Sequence, residues 1–192
     1  MAAGSLEYLA DGSWTKRLNP GWAAHSGILA AELAASGFSG PSTALDGRFG
    51  TLRAYTDDPR AALLTRDLGT THAIGTVAIK PYGCCRYNHG LIDAVLDIRA
   101  SEGIDPLRVA RIRLGVLSGG AGRVADPIEE KRRPRNPVDA QISAPFAAAT
   151  ALVHGSAGLR QFSQEAIDDA RTRRLMALTD CYRAADLDAV YP

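Results

Sequence analysis

The spacing of apolar residues changes several times along the chain, and each change predicts an element. Over residues 20–36, Trp22, Leu29 and Leu33 recur on one helical face, and Gly37 is placed to end that helix. His25 lies three residues after Trp22 and four before Leu29, so it falls on the same apolar face. Asn19 is a fitting N-cap, and Pro20 suits the first helical position, where its missing N–H has no partner to lose. Residues 45–55 read as a strand or hairpin interrupted by Gly47 and Gly50. A short helix is expected around residues 59–68, and residues 76–80 form a strand candidate. Leu91, Ile92, Val95, Leu96 and Ile98 fit an amphipathic helix over residues 88–101, with Asn88 as N-cap and Gly103 as terminator. Ile112, Leu114 and Val116 alternate with Arg111 and Arg113, which predicts a half-buried strand within residues 108–117. Residues 118–134 carry neither period and read as a loop or linker. Helical spacing returns over residues 139–154, 163–170 and 173–181.

The order is helix, then mixed strands and helix, then helices. It predicts an α+β fold in which an α+β segment, residues 43–128, is inserted between helical segments at residues 1–42 and 129–192. The chain of 192 residues is long enough to bury a core, and 46% apolar with 22% charged residues is ordinary for a globular protein. A formal net charge of +1, with both signs mixed along the chain, gives no support for nucleic-acid binding. The first residues lack the basic start and apolar run of a secretory leader, and the most apolar stretch, residues 144–153, is too short to span a bilayer. A cytoplasmic protein without membrane contact is expected. Three cysteines agree with that: Cys84 and Cys85 are adjacent, too close for an ordinary disulfide, and no zinc-ligand spacing is present.

Two stretches carry candidate chemistry. Trp14-Thr15-Lys16-Arg17-Leu18-Asn19-Pro20-Gly21-Trp22-Ala23-Ala24-His25 places two cations immediately before the predicted helix start. A helix N-terminus offers unpaired N–H groups and partial positive charge, so cations there suit a carboxylate or phosphate. Lys80-Pro81-Tyr82-Gly83-Cys84-Cys85-Arg86-Tyr87-Asn88-His89-Gly90 repeats the design and puts His89 at the first position of its helix, placed to take or give a proton. Cys85 is a possible nucleophile beside Arg86, though small buried thiols lining a turn are the commoner use of such residues. Ser118-Gly119-Gly120-Ala121-Gly122 has neither dinucleotide nor P-loop spacing and reads as a flexible connection. Glu129 to Arg135 reads as a solvated charge run.

These stretches resemble a known family. Leu6-Glu7-Tyr8-Leu9-Ala10-Asp11-Gly12-Ser13-Trp14-Thr15-Lys16-Arg17-Leu18, continued by Pro20-Gly21-Trp22-Ala23-Ala24-His25, is similar to a signature of the MmgE/PrpD family, which includes 2-methylcitrate dehydratase, cis-aconitate decarboxylase and iminodisuccinate epimerase. Further matches lie at residues 45–50, residues 80–94 and Val138-Asp139-Ala140-Gln141-Ile142-Ser143.

The resemblance implies part of an all-helical domain with an inserted α+β lid, both incomplete relative to longer family members, and a site in the cleft between them. It implies a cofactor-independent, metal-free lyase of the hydro-lyase type, acting on a small polycarboxylate in the manner of 2-methylcitrate dehydratase in propionate catabolism. Lys16 and His89 are then the catalytic candidates, as carboxylate or enolate stabiliser and as acid/base. Arg17, His25, Cys85 and Arg86 are the substrate-binding candidates. Gly83 departs from the family, which often has proline there. Family members are commonly dimers, so a homodimer is a possible assembly. The missing helical half carries further catalytic residues in the family, which predicts a truncated chain of impaired activity. The alternatives are a non-catalytic carboxylate-binding or subunit-completing fragment, or a decarboxylase or epimerase of the same family.

Overall fold

The computed structural model describes residues 4–191, the Asp11 side chain apart. Residues 1–3 and 192, which open the first and close the last of the segments expected from sequence, lie outside the described residues. The described elements are α1 (Tyr8–Asp11), α2 (Thr15–Ala35), α3 (Thr51–Tyr55), α4 (His89–Glu102), β1 (Ile112–Val116), α5 (Ser118–Val124), α6 (Ile128–Lys131), α7 (Pro137–Gln141), α8 (Ala144–His154), α9 (Gln164–Asp168), α10 (Ala170–Ala177), β2 (Thr179–Arg183) and α11 (Ala185–Val190), with short 3-10 turns between some of them. The fold is α+β, mostly helical with a small parallel sheet. The described residues form two compact units: residues 4 and 17–79, and residues 5–16 with 80–191.

Helix α2 starts at Thr15 and carries Pro20 in its interior, so Asn19 is not its N-cap, and from Arg17 onward it belongs to the first unit. Proline has no N–H, so Pro20 gives none to the carbonyl four residues earlier. The helix ends as the sequence predicts. Gly37 takes φ 88°, and Phe38 N donates to Leu33 O at 2.9 Å while Gly37 N donates to Ala34 O at 3.0 Å, a Schellman closure. The expected inward face is not buried: Trp22, Leu29 and Leu33 are exposed, and His25 lies open to solvent with its ring stacked on Trp22 at 5.3 Å.

Residues 45–55 form tight turns and α3 instead of a hairpin. The glycines explain the difference, since a β-carbon on Gly50 would sit 2.7 Å from Leu45 O and one on Gly47 2.6 Å from Thr43 Oγ1. They mark backbone crossing backbone, not breaks in a strand. The helix expected at residues 59–68 is a 3-10 turn over Ala61–Leu64. Residues 76–80 pair with no strand among the described residues and follow a second 3-10 turn, Ala73–Thr76.

The second unit is built around α8, whose residues from Ala144 to Val153 are all buried. A helix apolar on every side must be surrounded, and its alanines let α4 and α10 pack closely against it. Ser143 breaks the single helix expected over residues 139–154. It adopts extended φ/ψ and its Oγ accepts from Phe146 N at 3.0 Å, capping α8. Asn136 caps α7 in the same way, with Pro137 following.

β1 carries the alternation seen in the sequence, with Leu114 and Val116 buried and Arg113 exposed. It pairs in parallel with β2 in the register Ile112↔Thr179 to Val116↔Arg183. Residues 179–181, expected at the end of a helix, are thus strand: Thr179, Cys181 and Tyr182 suit a pleated surface, and α10 stops at Ala177. Residues 118–134 hold α5 and α6, so they are not an unstructured linker. A β-carbon on Gly120 would meet the Tyr87 ring at 2.4 Å. That glycine serves close packing of α5 on Tyr87, where the sequence suggests a flexible connection.

Candidate functional site

The lysine-to-histidine stretch is sewn to the Asn136–Ser143 stretch by backbone and amide hydrogen bonds. Cys85 N donates to Gln141 O at 2.8 Å. Asn88 Nδ2 reaches Ser143 O at 3.4 Å and Gln141 O at 3.5 Å. Ser143 Oγ in turn donates to Lys131 O at 2.6 Å. Asn88 does precede α4 as its sequence position predicts, but its side chain makes no capping bond and is fully buried. It fastens the start of α4 to the α7–α8 junction, and its Oδ1 has no partner among the described residues.

This frame shapes a recess of about 430 Å³ lined by Lys16, Lys80, Tyr82, Cys84, Gln141 and Leu159 among others. Lys16 enters from the first turn of α2, with its Nζ 5.9 Å from the Tyr8 ring centroid. Lys80 enters from the segment before Tyr82. Burial pushes the Cys84 thiol up to about 12, the adjacent Cys85 adds to the rise, and Lys80 and Lys16 pull against it. The two ammonium groups are therefore near enough to Cys84 to act on its charge. Tyr82 Oη donates to Asp93 Oδ1 at 2.5 Å, which raises the phenol to about 12 and keeps it protonated at neutral pH.

Two lysines line this concave surface, and ammonium groups suit carboxylate oxygens. Cys84 is held as a thiol by burial, and a thiol is a poor nucleophile. Cys85 packs half-buried against the core.

The other candidates lie elsewhere. His89 sits at the first position of α4 and lines a different recess together with Arg86 and Tyr87. Its ring stands edge-on to Tyr82 at 5.4 Å and 88°, and its Nε2 is buried without a hydrogen-bond partner among the described residues. Tyr82 thus lines one recess and touches the histidine of the other. Arg17 and His25 belong to the first unit. Lys80, Tyr82 and Gln141 were not among the residues singled out from sequence. Lys80 opens the same stretch as His89, a signal that was available, whereas nothing in the residue type distinguishes Gln141. Among the described residues no group of three or more His, Cys, Asp or Glu side chains could hold a metal ion. No described helix is long and apolar enough to cross a membrane.

Comparison with known proteins adds an independent line. Residues 82–192 match the family model of the MmgE/PrpD C-terminal domain, and residues 1–64 match that of the MmgE/PrpD N-terminal domain. The chain is also similar to a cis-aconitate decarboxylase-like protein, oryM, of Aspergillus oryzae, at 24% identity over 97% of this chain. The match spans 41% of the length of that relative.

Proposed function

This chain belongs to the MmgE/PrpD family, and on that footing we propose that it carries part of the substrate site of a lyase acting on a small di- or tricarboxylate. The observation that supports this reading is the meeting of Lys16 and Lys80, far apart in sequence, in one recess with Gln141. In the proposed reaction a base takes a proton from the carbon beside a carboxylate. The electron pair forms the new C=C bond while hydroxide leaves with a proton as water. Charge accumulates on the carboxylate oxygens as that proton departs, and fixed cations aimed at them lower the barrier without any cofactor.

Lys16 and Lys80 hold those oxygens, and Gln141 adds an amide donor. His89 is the proposed acid/base, reached across Tyr82. Dehydration of the 2-methylcitrate type is the reaction we favour within this class. Decarboxylation of cis-aconitate, the activity in the fungal relative's name, would draw on the same clamp with carbon dioxide as the leaving group.

A non-catalytic carboxylate-binding role is the second reading, favoured by the burial of His89 Nε2 and by its place outside the lysine recess. Turnover separates the two. Incubation of the chain with 2-methylcitrate and with cis-aconitate, followed by product analysis, supports the lyase if either is consumed and the loss disappears in His89→Ala. Binding of both with no product supports the second reading.

A further inference from the structure

The charge run at residues 129–135 forms one wall of a separate recess of about 540 Å³, whose lining includes Leu9, Ala10, Lys131, Arg133, Asp139 and Ile142. It shares no lining residue with the Lys16–Lys80 recess. Lys131 ends α6 and is half-buried. No carboxylate lies within 4.0 Å of its ammonium group, and no hydrogen bond is made by it, among the described residues.

The acids around it are largely engaged elsewhere. Asp139 Oδ2 accepts from Arg135 Nε at 2.9 Å and from Arg135 N at 3.2 Å, and Glu129 Oε1 accepts from Arg132 at 2.7 Å. Glu130 is exposed and makes no ion pair among the described residues. Arg133 is exposed on the same wall, and its guanidinium likewise has no acidic partner among the described residues. After the internal pairs are set aside, two cations face one acid. Burial outweighs the opposing pull of Asp139, Glu130, Cys85 and Asp126 and holds Lys131 below the ordinary lysine range. A half-buried ammonium without an acceptor is undercompensated, and an incoming anion relieves that cost. The apolar walls at Leu9, Ala10 and Ile142 reduce screening at the same place.

We propose that this recess is a second anion-binding site, which takes a small carboxylate or phosphate oxyanion between Lys131 and Arg133. Its occupant is distinct from whatever the Lys16–Lys80 recess holds, so the proposal does not depend on the lyase reading. Lys131 is joined to the first frame through its carbonyl, which accepts from Ser143 Oγ.

The test is calorimetric titration of inorganic phosphate and, separately, malonate into the 192-residue chain carrying Lys16→Gln and Lys80→Gln, which removes the cations of the first recess, and into the same protein with Lys131→Gln or Lys131→Arg added. Loss of one charge-assisted contact weakens binding by about tenfold. The expected result is that weakening when Lys131→Gln is added to the Lys16→Gln/Lys80→Gln protein, and retention when Lys131→Arg is added. Stronger binding of malonate than phosphate, or the reverse, assigns the head group. The proposal is overturned if neither anion binds the Lys16→Gln/Lys80→Gln protein, or if their binding survives the addition of Lys131→Gln.

Discussion

Gly12 lies against the Asp139 carboxylate so closely that a β-carbon there would fall 2.2 Å from Oδ1. Gly12 also has φ 69°, the left-handed conformation that L side chains adopt at a cost. Both constraints arise because the Leu6–Lys16 stretch packs on the capped start of α7, where Asn136 Oδ1 accepts from Val138 N and Asp139 N. A β-carbon would meet Asn136 Nδ2 at 2.8 Å as well. Through this contact the segment that ends in Lys16 is held to the stretch that contributes Gln141.

Gly12→Ala is therefore expected to lower stability by about 1–3 kcal/mol, from left-handed strain and overpacking together. The urea unfolding midpoint measures it. A midpoint equal to that of the unaltered chain contradicts the contact.

Asn88→Ala removes the side-chain amide that bridges Gln141 O and Ser143 O, while each carbonyl keeps a backbone donor, Cys85 N and Ala147 N. The loss of the bridging hydrogen bonds is expected to cost about 0.5–1.5 kcal/mol. Faster hydrogen exchange should appear at the start of α4 and at residues 141–146 before it appears elsewhere in the second unit. Uniform protection across that unit in the variant speaks against the anchoring role.

Legibility from sequence followed how local the determining physics is. The helix beginning at His89 was readable because its apolar period, Asn88 and Gly103 all lie within the helix or beside it. β1 was readable for the same reason, through Leu114 and Val116 against Arg113. β2 was not, since Thr179–Arg183 becomes strand by pairing with a partner far away in sequence. The start of α2 was misplaced because Asn19 and Pro20 give a strong local signal that the observed helix overrides. Of the site, Lys16 was legible from its motif, while Lys80 and Gln141 acquire meaning only when the fold brings them to one recess.

Asp169 caps α10, with Oδ1 accepting from Arg171 N at 2.7 Å and Thr172 N at 3.4 Å. The Arg171 side chain and these backbone bonds draw its carboxyl down to about 2. A depressed carboxyl means that the unfolded chain binds the proton more readily, so this contribution is present above about pH 4 and is lost toward pH 2. Asp169→Ala should cost about 1 kcal/mol at neutral pH and flatten that part of the acid limb. Thermal melts across the acid range check both, and an unchanged acid limb in the variant tells against the cap.

Cys84 supplies the opposite sign. Its thiol is raised from 9.0 to about 12, chiefly by burial, so between those values the folded chain holds a proton that the unfolded chain releases. Stability thus falls as pH rises above about 9. Tyr82, raised from 10.0 to about 12 by its bond to Asp93, adds to the fall above pH 10. Cys84→Ala should make the alkaline decline shallower from pH 9 upward, read by denaturant titration at several pH values. A slope identical to that of the unaltered chain rules out Cys84 as its source.

The central claim is that Lys16 and Lys80 together form a carboxylate clamp. Calorimetric titration of cis-aconitate and 2-methylcitrate into the chain, Lys16→Ala and Lys80→Ala tests it most directly. The clamp predicts binding to the unaltered chain and a loss of about tenfold or more in each single variant, because each removes one charged contact. The double variant should lose less than the two single losses combined, since both lysines hold the same ligand. Equal affinity in all four proteins, or no binding of either acid by the unaltered chain, contradicts it.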